Sequence, residues 1–331
     1  MKHTIMLLFF VMFLACEKAV AEKNVPEKVI TVSKDGTADF RTIQSAVNAV
    51  RDHLQGKITI RVEEGIYAEK LVIPAWKKNI RILGKSKETT IITGNDYSGK
   101  DFPNRDFTGY TKYSTYTSYT VLVQGNDCTI ENITIENTAG KIGQAVALAV
   151  ESDRFRGINC NILGNQDTLY CSKDGRNYFE SCLITGTTDF IFGEATVVFQ
   201  RCVIKSLANS YITAASTTTH QPFGFVFFDC ELVASPGVDK VYLGRPWRPY
   251  AKTVFIRTRM GGHITAEGWH PWPGDAEFPN KELTAYYGEY QSSGTGADLR
   301  GRVAWSKVLK KANLRAYKID KIFRKWDYTS Y

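Results

Sequence analysis

The sequence predicts an all-β solenoid, a parallel β-helix closed at its N-terminal end by one amphipathic helix. Three observations carry this. Five short β-branched stretches share one pattern of apolar residues, a short polar step, a cysteine, one residue and an aliphatic. They centre on Cys128, Cys160, Cys182, Cys202 and Cys230, at intervals of 32, 22, 20 and 28 residues, and "TVFIRTRM" continues them with Thr258 in the cysteine's place. Strands recurring at that spacing, with few helical stretches between, are the mark of stacked coils whose equivalent residues lie above one another. Finally, no linker rich in Pro, Gly or Ser divides the chain, so residues 22–331 read as one domain.

Taken in chain order, Met1 to Ala15 carries Lys2 and then an uncharged run from Ile5. The run is too short to span a bilayer as a helix. It reads as a secretory signal over residues 1–21, with Ala19-Val20-Ala21 as the cleavage site; lipid attachment at Cys16 is the alternative. The expected location is therefore secreted or periplasmic, with no transmembrane segment. "DFRTIQSAVNAVRDHL" has helical period at Ile43, Ala46, Val47, Val50 and Leu54, and is expected to cap the open first coil. Residues 94–120 form a long polar-aromatic loop that would wall a cleft. Near the end, "RVAWSKVLKKANLRAYKIDKIF" reads as helix or helical turns, with Trp305, Val308, Leu309 and Leu314 facing the body.

Composition narrows little. Hydrophobic content of 43% leaves enough material for a sizeable core, and the net charge is +8. A basic exported chain suits an acidic polymer, although no block of like charges concentrates the excess. Six cysteines remain after Cys16, an even number compatible with disulfides in an oxidising compartment. A ladder of stacked free thiols is the preferred reading, since stacking needs only a small apolar residue. No C-x-x-C or histidine cluster offers a metal site.

Four stretches place chemically capable groups beside tight turns: "GQAVAL" (143–148), "GNQDTLY" (164–170), "GTTDFIFG" (186–193) and "YLGRPW" (242–247). Singly, each is a turn cap or a surface residue. Together they are more specific. Asp167 and Asp189 lie 22 residues apart, about one coil, and so do Gln144 and Gln166. Carboxylates on adjacent coils, ~4.8 Å apart, cannot easily both ionise; one pKa is expected to rise and the other to fall. That is what a proton donor and a nucleophile require.

With "GIYAE" (65–69), "EGWHPW" (267–272) and "YGEYQSSGTGA" (287–297), these motifs give residues 28–310 a strong resemblance to the pectin methylesterases. The short leader, with no inhibitory pro-region before the domain, suggests a bacterial-type member. The resemblance implies a right-handed, single-stranded parallel β-helix acting without a cofactor or metal, as a monomer, on methyl-esterified homogalacturonan and not on nucleic acid. Residue by residue it implies Asp189 as nucleophile and Asp167 as general acid and later base. Gln144 and Gln166 match the oxyanion donors, and Arg245 the partner of the nucleophile. Trp247 matches a platform under a sugar ring, with Thr115, Tyr170 and Phe192 also lining the substrate site. Gln144 and Arg245 are expected to contact substrate as well.

The rival readings are weaker. A polygalacturonase would share the coils, but an inverting glycosidase needs its carboxylates ~6.5–9.5 Å apart. A pectate lyase would want calcium-binding acidic clusters, and a serine esterase a G-x-S-x-G elbow that the sequence lacks. A non-catalytic carbohydrate-binding β-helix would be expected to lose Asp167, Asp189 or Arg245, and all three are present. Tyr67 and Glu69 are expected to brace a turn. Trp269 and Trp272 are equally compatible with the cleft wall and with packing under a loop.

Overall fold

Each coil runs through three strands and returns to stack on the one before. The structure, a computed structural model, describes residues 28–103 and 109–329. The expected leader and Cys16 lie outside them. All named strands are parallel to their neighbours and fall into three sheets of eleven, eight and seven strands. Between the first strand and the last two the order is cyclic: a strand of the first sheet such as Phe155–Ile158 leads to one of the second, Asn161–Leu163, then one of the third, Leu169–Cys171. Because coils stack in register, side chains repeat along the axis. Inside, Phe179, Phe199, Phe227 and Phe255 form a column with ring centroids 4.4–5.4 Å apart. The architecture is thus a parallel β-helix.

The polar step in the repeat is a one-residue corner. Asn159, Ser181, Arg201, Asp229 and Arg257 all take left-handed φ, between 49° and 55°, turning the chain from the first sheet into the second. The next residue points inward, and pairing of Leu183 with Asn161, Val203 with Leu183 and Glu231 with Val203 stacks Cys160, Cys182, Cys202 and Cys230. All four thiols are buried and free, as are Cys128 and Cys171. Cys128 does not belong to the column. It precedes its first-sheet strand, and the pairing of Thr129 with Arg156 sets it beside Phe155, while Ile133 holds the place below Cys160. The sequence pattern around Cys128 matched one corner too early.

The cap helix is shorter than its periodicity. It spans Ile43–Ala49, with Ile43, Ala46 and Val47 buried. Val50 already has extended backbone, and the Lys77 ammonium donates to the carbonyls of Asn48 and Val50, satisfying the helix end where another turn would have begun. Glu69 accepts from the Ile43 and Gln44 amides at 3.0 and 2.9 Å, so its carboxylate caps the N-terminus. Tyr67 is buried and donates to the Glu63 carbonyl. Both residues brace the cap.

The C-terminal segment is mostly not helical. Lys307–Val308 adds the last strand of the first sheet, a 3-10 turn follows at Asn313–Arg315, and only Ile319–Phe323 is α-helix. Strand alternation puts Leu309 on the sheet's outer face, where it is buried, and leaves Val308 61% exposed, against expectation. Trp305 and Leu314 are partly buried, as expected. Leu309, Ile322 and Phe323 pack on the outer face of the first sheet, against Tyr178, Val198, Val226 and Val254. The outer face of the third sheet is not covered by this segment. Val72, Leu122, Ala149, Tyr170, Phe192 and Ala214 follow one another across it, one per coil.

Candidate active site

Asp189 ends the corner before the strand Ile191–Gly193, with φ 48°, and Asp167 holds the same place one coil earlier with φ 62°. Aspartate is among the few residues that visit the left-handed region readily. The Asp167 amide donates to the Thr188 carbonyl and the Asp189 amide to the Tyr211 carbonyl, so each corner is tied to the next coil. Phe190 and Ile191 turn into the core, fully buried, and Phe192 turns outward. Gly193 closes the motif at φ 118°, where a Cβ would lie 2.0 Å from the Cys171 carbonyl. Only glycine fits this close approach.

Arg245 follows Gly244, which pairs with Thr213, and so extends the outer row beyond Ala214. From there its Nε and Nη2 donate to the two oxygens of Asp189, at 3.0 and 2.6 Å. This is the bidentate geometry of a strong charge-assisted pair. The guanidinium is also held flat between rings, 4.0 Å from the centroid of Tyr211 and 3.5 Å from that of Trp272.

Asp189, Asp167, Gln144, Gln166, Arg245, Thr115, Phe192 and Trp247 all line one cavity of about 370 Å³. Gln144 and Gln166 form a parallel bridge, with the Ala145 amide donating to the Gln166 carbonyl at 3.1 Å. The two side chains thereby stack beside the carboxylates. Thr115 begins the 3-10 turn Thr115–Thr117 in the long loop, and the Ser98 amide anchors that loop to the Gln144 carbonyl. Phe102 and Tyr113 stack across the loop at 3.9 Å, so its described part is a built wall. Trp247 meets Phe192 edge-on at 5.9 Å. Tyr170 does not reach the cavity surface; it lies beside Phe192, stacked at 4.7 Å, and supports it.

Two lining residues were not singled out from sequence: Tyr116, 47% exposed beside Tyr170, and Ala214. The two tryptophans of "EGWHPW" divide. Trp269 is fully buried and stacks on Tyr287 at 4.4 Å, whereas Trp272 walls the cavity. Behind Trp272 lies Lys281, whose side chain is wholly buried. It donates to Asp275 at 2.6 Å and to the Trp247 carbonyl at 3.3 Å, with its ammonium 4.6 Å from the Trp272 ring centroid. Lys281→Met should loosen this wall, costing about 1.5–3 kcal/mol from the lost charged hydrogen bonds. The expected readouts are a lower melting temperature and a KM raised several-fold, with the pH profile unchanged because neither carboxylate is touched.

Burial raises the Asp167 pKa to about 8, helped by the charge of Asp189 and opposed by Arg245. Burial raises Asp189 as well, but there the two hydrogen bonds and the charge of Arg245 pull the other way. The expectation that one would rise and the other fall is therefore corrected: desolvation acts on both, and Arg245 separates them. Asp189 ionises first, while Asp167 keeps its proton. The raised Asp167 value also bears on stability. The unfolded chain releases this proton near 4 and the native chain near 8, so stability falls as pH climbs between them. Asp167→Asn should then be more stable than the parent at pH 8, by on the order of a few kcal/mol, and no more stable at pH 4. Paired thermal melts at the two pH values check this.

Two aspartates, two glutamines and an arginine thus converge in one groove of a parallel β-helix, and comparison with known proteins identifies the family that shares this framework. The sequence profile of the pectinesterase family matches residues 29–324. Pectinesterase 31 of Arabidopsis thaliana is 36% identical over 85% of this chain and 88% of its own. A pectin methylesterase from carrot superposes with a TM-score of 0.81 at 34% identity, covering 91% of this chain and 95% of that one. A pectin methylesterase solved in complex with a hexasaccharide superposes with a TM-score of 0.77 at 27% identity, over 91% and 98% of the two chains. The chain spans 59% and 47% of the length of two other Arabidopsis thaliana relatives. It belongs to the pectinesterase family. The similarity leans toward plant members, since the Erwinia chrysanthemi enzyme is 28% identical, and the expectation of a bacterial-type member is not supported.

Proposed function

We propose that this protein hydrolyses the C6 methyl esters of homogalacturonan, releasing methanol and leaving carboxylate on the polymer. The observation that carries this is the pairing of a buried, arginine-held Asp189 with a proton-bearing Asp167 one coil away, in a groove lined by two unengaged amides. Among the described residues, neither Gln144 nor Gln166 has a side-chain hydrogen-bond partner, and both face the cavity. Donors left free at the place where charge develops are what an oxyanion needs. The family match and the oligosaccharide complex of a relative support the substrate class.

The sequence of steps follows from the groups. Ionised Asp189 attacks the ester carbonyl carbon, and the carbonyl oxygen becomes an oxyanion facing Gln144 and Gln166. Collapse expels the methoxy group, which takes the Asp167 proton and leaves as methanol. The acyl-enzyme is an anhydride between Asp189 and the sugar's C6. Asp167, now ionised, takes a proton from water as that water attacks the anhydride. Asp189 is released as carboxylate and Asp167 is again protonated. Trp247 and Phe192 offer faces to the sugar rings, and Thr115 closes the other wall. Arg245 serves first as the partner of Asp189; its contact with substrate is a secondary role in this reading.

Activity in this scheme needs ionised Asp189 together with protonated Asp167. It should rise with pH as Asp189 loses its proton and fall again around 8, as Asp167 does. Rates on a soluble methyl-ester substrate from pH 4 to 10 would show it; a plateau continuing well above 8 would contradict it. The reaction itself is tested by methanol release from highly methylated pectin. Loss of viscosity or formation of unsaturated products, with no methanol, would mean chain cleavage instead.

A further inference from the structure

The positive charge of this chain is concentrated, contrary to the reading that no block of like charges concentrates the excess. Beyond residue 302, eight Lys and Arg face only two carboxylates, Asp320 and Asp327, a net +6 out of the +8 of the whole chain. Lys307, Lys310, Lys311, Arg315, Lys318 and Lys321 are all exposed, and Arg324 and Lys325 continue them. None of the eight forms an ion pair among the described residues. The packing explains the sorting. The apolar side chains of this segment, Leu309, Ile322 and Phe323, cover the outer face of the first sheet, so the cations are what remains on the solvent side.

At one end the strip meets a pocket of about 280 Å³ whose lining includes Lys57, Arg154, Arg156, Lys325 and Trp326 together with the carboxylates of Asp127 and Asp327, of which Asp127 is engaged by Arg154. Arg156 stands on the first sheet's outer face with no ion pair, and its Nε and Nη1 are buried without a hydrogen-bond partner. Glu131 and Asp327 lie near enough to favour its charge, but neither pairs with it directly, so its unused donors can still meet a ligand carboxylate. Trp326 adds an aromatic wall for a sugar ring. The active-site cavity contains no residue of this segment and lies on the third sheet, so the strip is a separate surface.

We propose that this strip and its pocket form a second polysaccharide-binding surface, specific for polygalacturonate, the de-esterified product. The proposal rests on the esterase reading, because that activity makes the polyanion. Carboxylates regularly spaced along a stiff chain match a row of unpaired cations, and the attraction weakens with salt as exposed charges do. An anionic membrane would favour apolar side chains beside the cations, but here the segment's large apolar groups are turned inward, Val308 excepted. Held by its product, the enzyme stays on a chain it has begun to de-esterify.

The test is affinity for fully de-esterified polygalacturonate, titrated with NaCl, in two variants of the full chain. One is Lys310→Gln with Lys311→Gln, Arg315→Gln and Lys318→Gln; the other is Lys321→Gln with Arg324→Gln and Lys325→Gln. Each should weaken binding about tenfold and flatten its salt dependence. kcat/KM on a methyl-esterified trigalacturonate, too short to reach the strip, should be unchanged. Affinity within twofold of the parent in both variants would overturn the proposal. So would loss of binding to phosphatidylserine vesicles with polygalacturonate binding intact. If no methanol is released from any substrate the esterase reading fails, while the polygalacturonate titration still reads the strip on its own.

Discussion

Asp189→Asn is expected to reduce kcat for methanol release by about 10⁴-fold or more, the scale on which covalent hydrolases lose rate when the nucleophile is removed. The change is isosteric, so the corner before Ile191–Gly193 and its amide bond to the Tyr211 carbonyl persist. What disappears is the negative oxygen that attacks in the proposed scheme. Nothing else in the cavity can replace it: Asp167 holds its proton to about 8 and is committed to the leaving group. Methanol release under saturating substrate, with a thermal melt as control, makes the comparison. A kcat within tenfold of the parent would remove Asp189 from the nucleophile's role.

Arg245→Ala should act on both stability and activity. It leaves a carboxylate that is only 9% exposed without its counter-ion, and breaking such a buried pair costs about 3–5 kcal/mol. The two aromatic rings that clamp the guanidinium, Tyr211 and Trp272, also lose their filling. Burial then acts on Asp189 unopposed, its pKa climbs, and the fraction ionised at neutral pH falls. The activity left should show a rising limb displaced to higher pH, a shift that simple unfolding would not produce. Arg245→Lys restores one charge but cannot donate to both oxygens or lie flat between two rings. It should recover part of the stability and little of the rate. Denaturant melts and pH–rate profiles of the two variants separate these effects.

The coils were legible because their repeat is physical. A left-handed corner residue followed by a small inward side chain recurs at Asn159, Ser181, Arg201, Asp229 and Arg257, and the sequence prints the first four of those steps as a polar residue before cysteine. The same regularity put Asp167 and Asp189 one coil apart before any coordinates. It misled at Cys128, whose neighbours imitate the corner pattern although Ile133 occupies the column. The C-terminal segment was misread for a different reason. Its apolar residues are spaced to cover a sheet, and that spacing resembles a helix until the register of Lys307–Val308 is known. Tyr116 and Lys281 were beyond reach, and Trp272 could not be told from Trp269, because their roles depend on how two long loops fold back over the third sheet. No local period encodes that. The charge excess after residue 302 is interleaved with apolar residues and so does not read as a block, and the inward packing of Leu309, Ile322 and Phe323 is what leaves its cations on the solvent side.

The central claim is that Asp189 is ionised and Asp167 protonated in the resting enzyme. The most direct measurement is a pH titration of the aspartate side-chain carboxyl carbons by NMR, with the two resonances assigned through Asp167→Asn and Asp189→Asn. One carboxyl should titrate around 8 and vanish from the Asp167→Asn spectrum, while the Asp189 resonance stays at its ionised position at pH 7. A high-pH titration that survives in Asp167→Asn and is lost only in Asp189→Asn would place the proton on the wrong carboxylate and contradict the account.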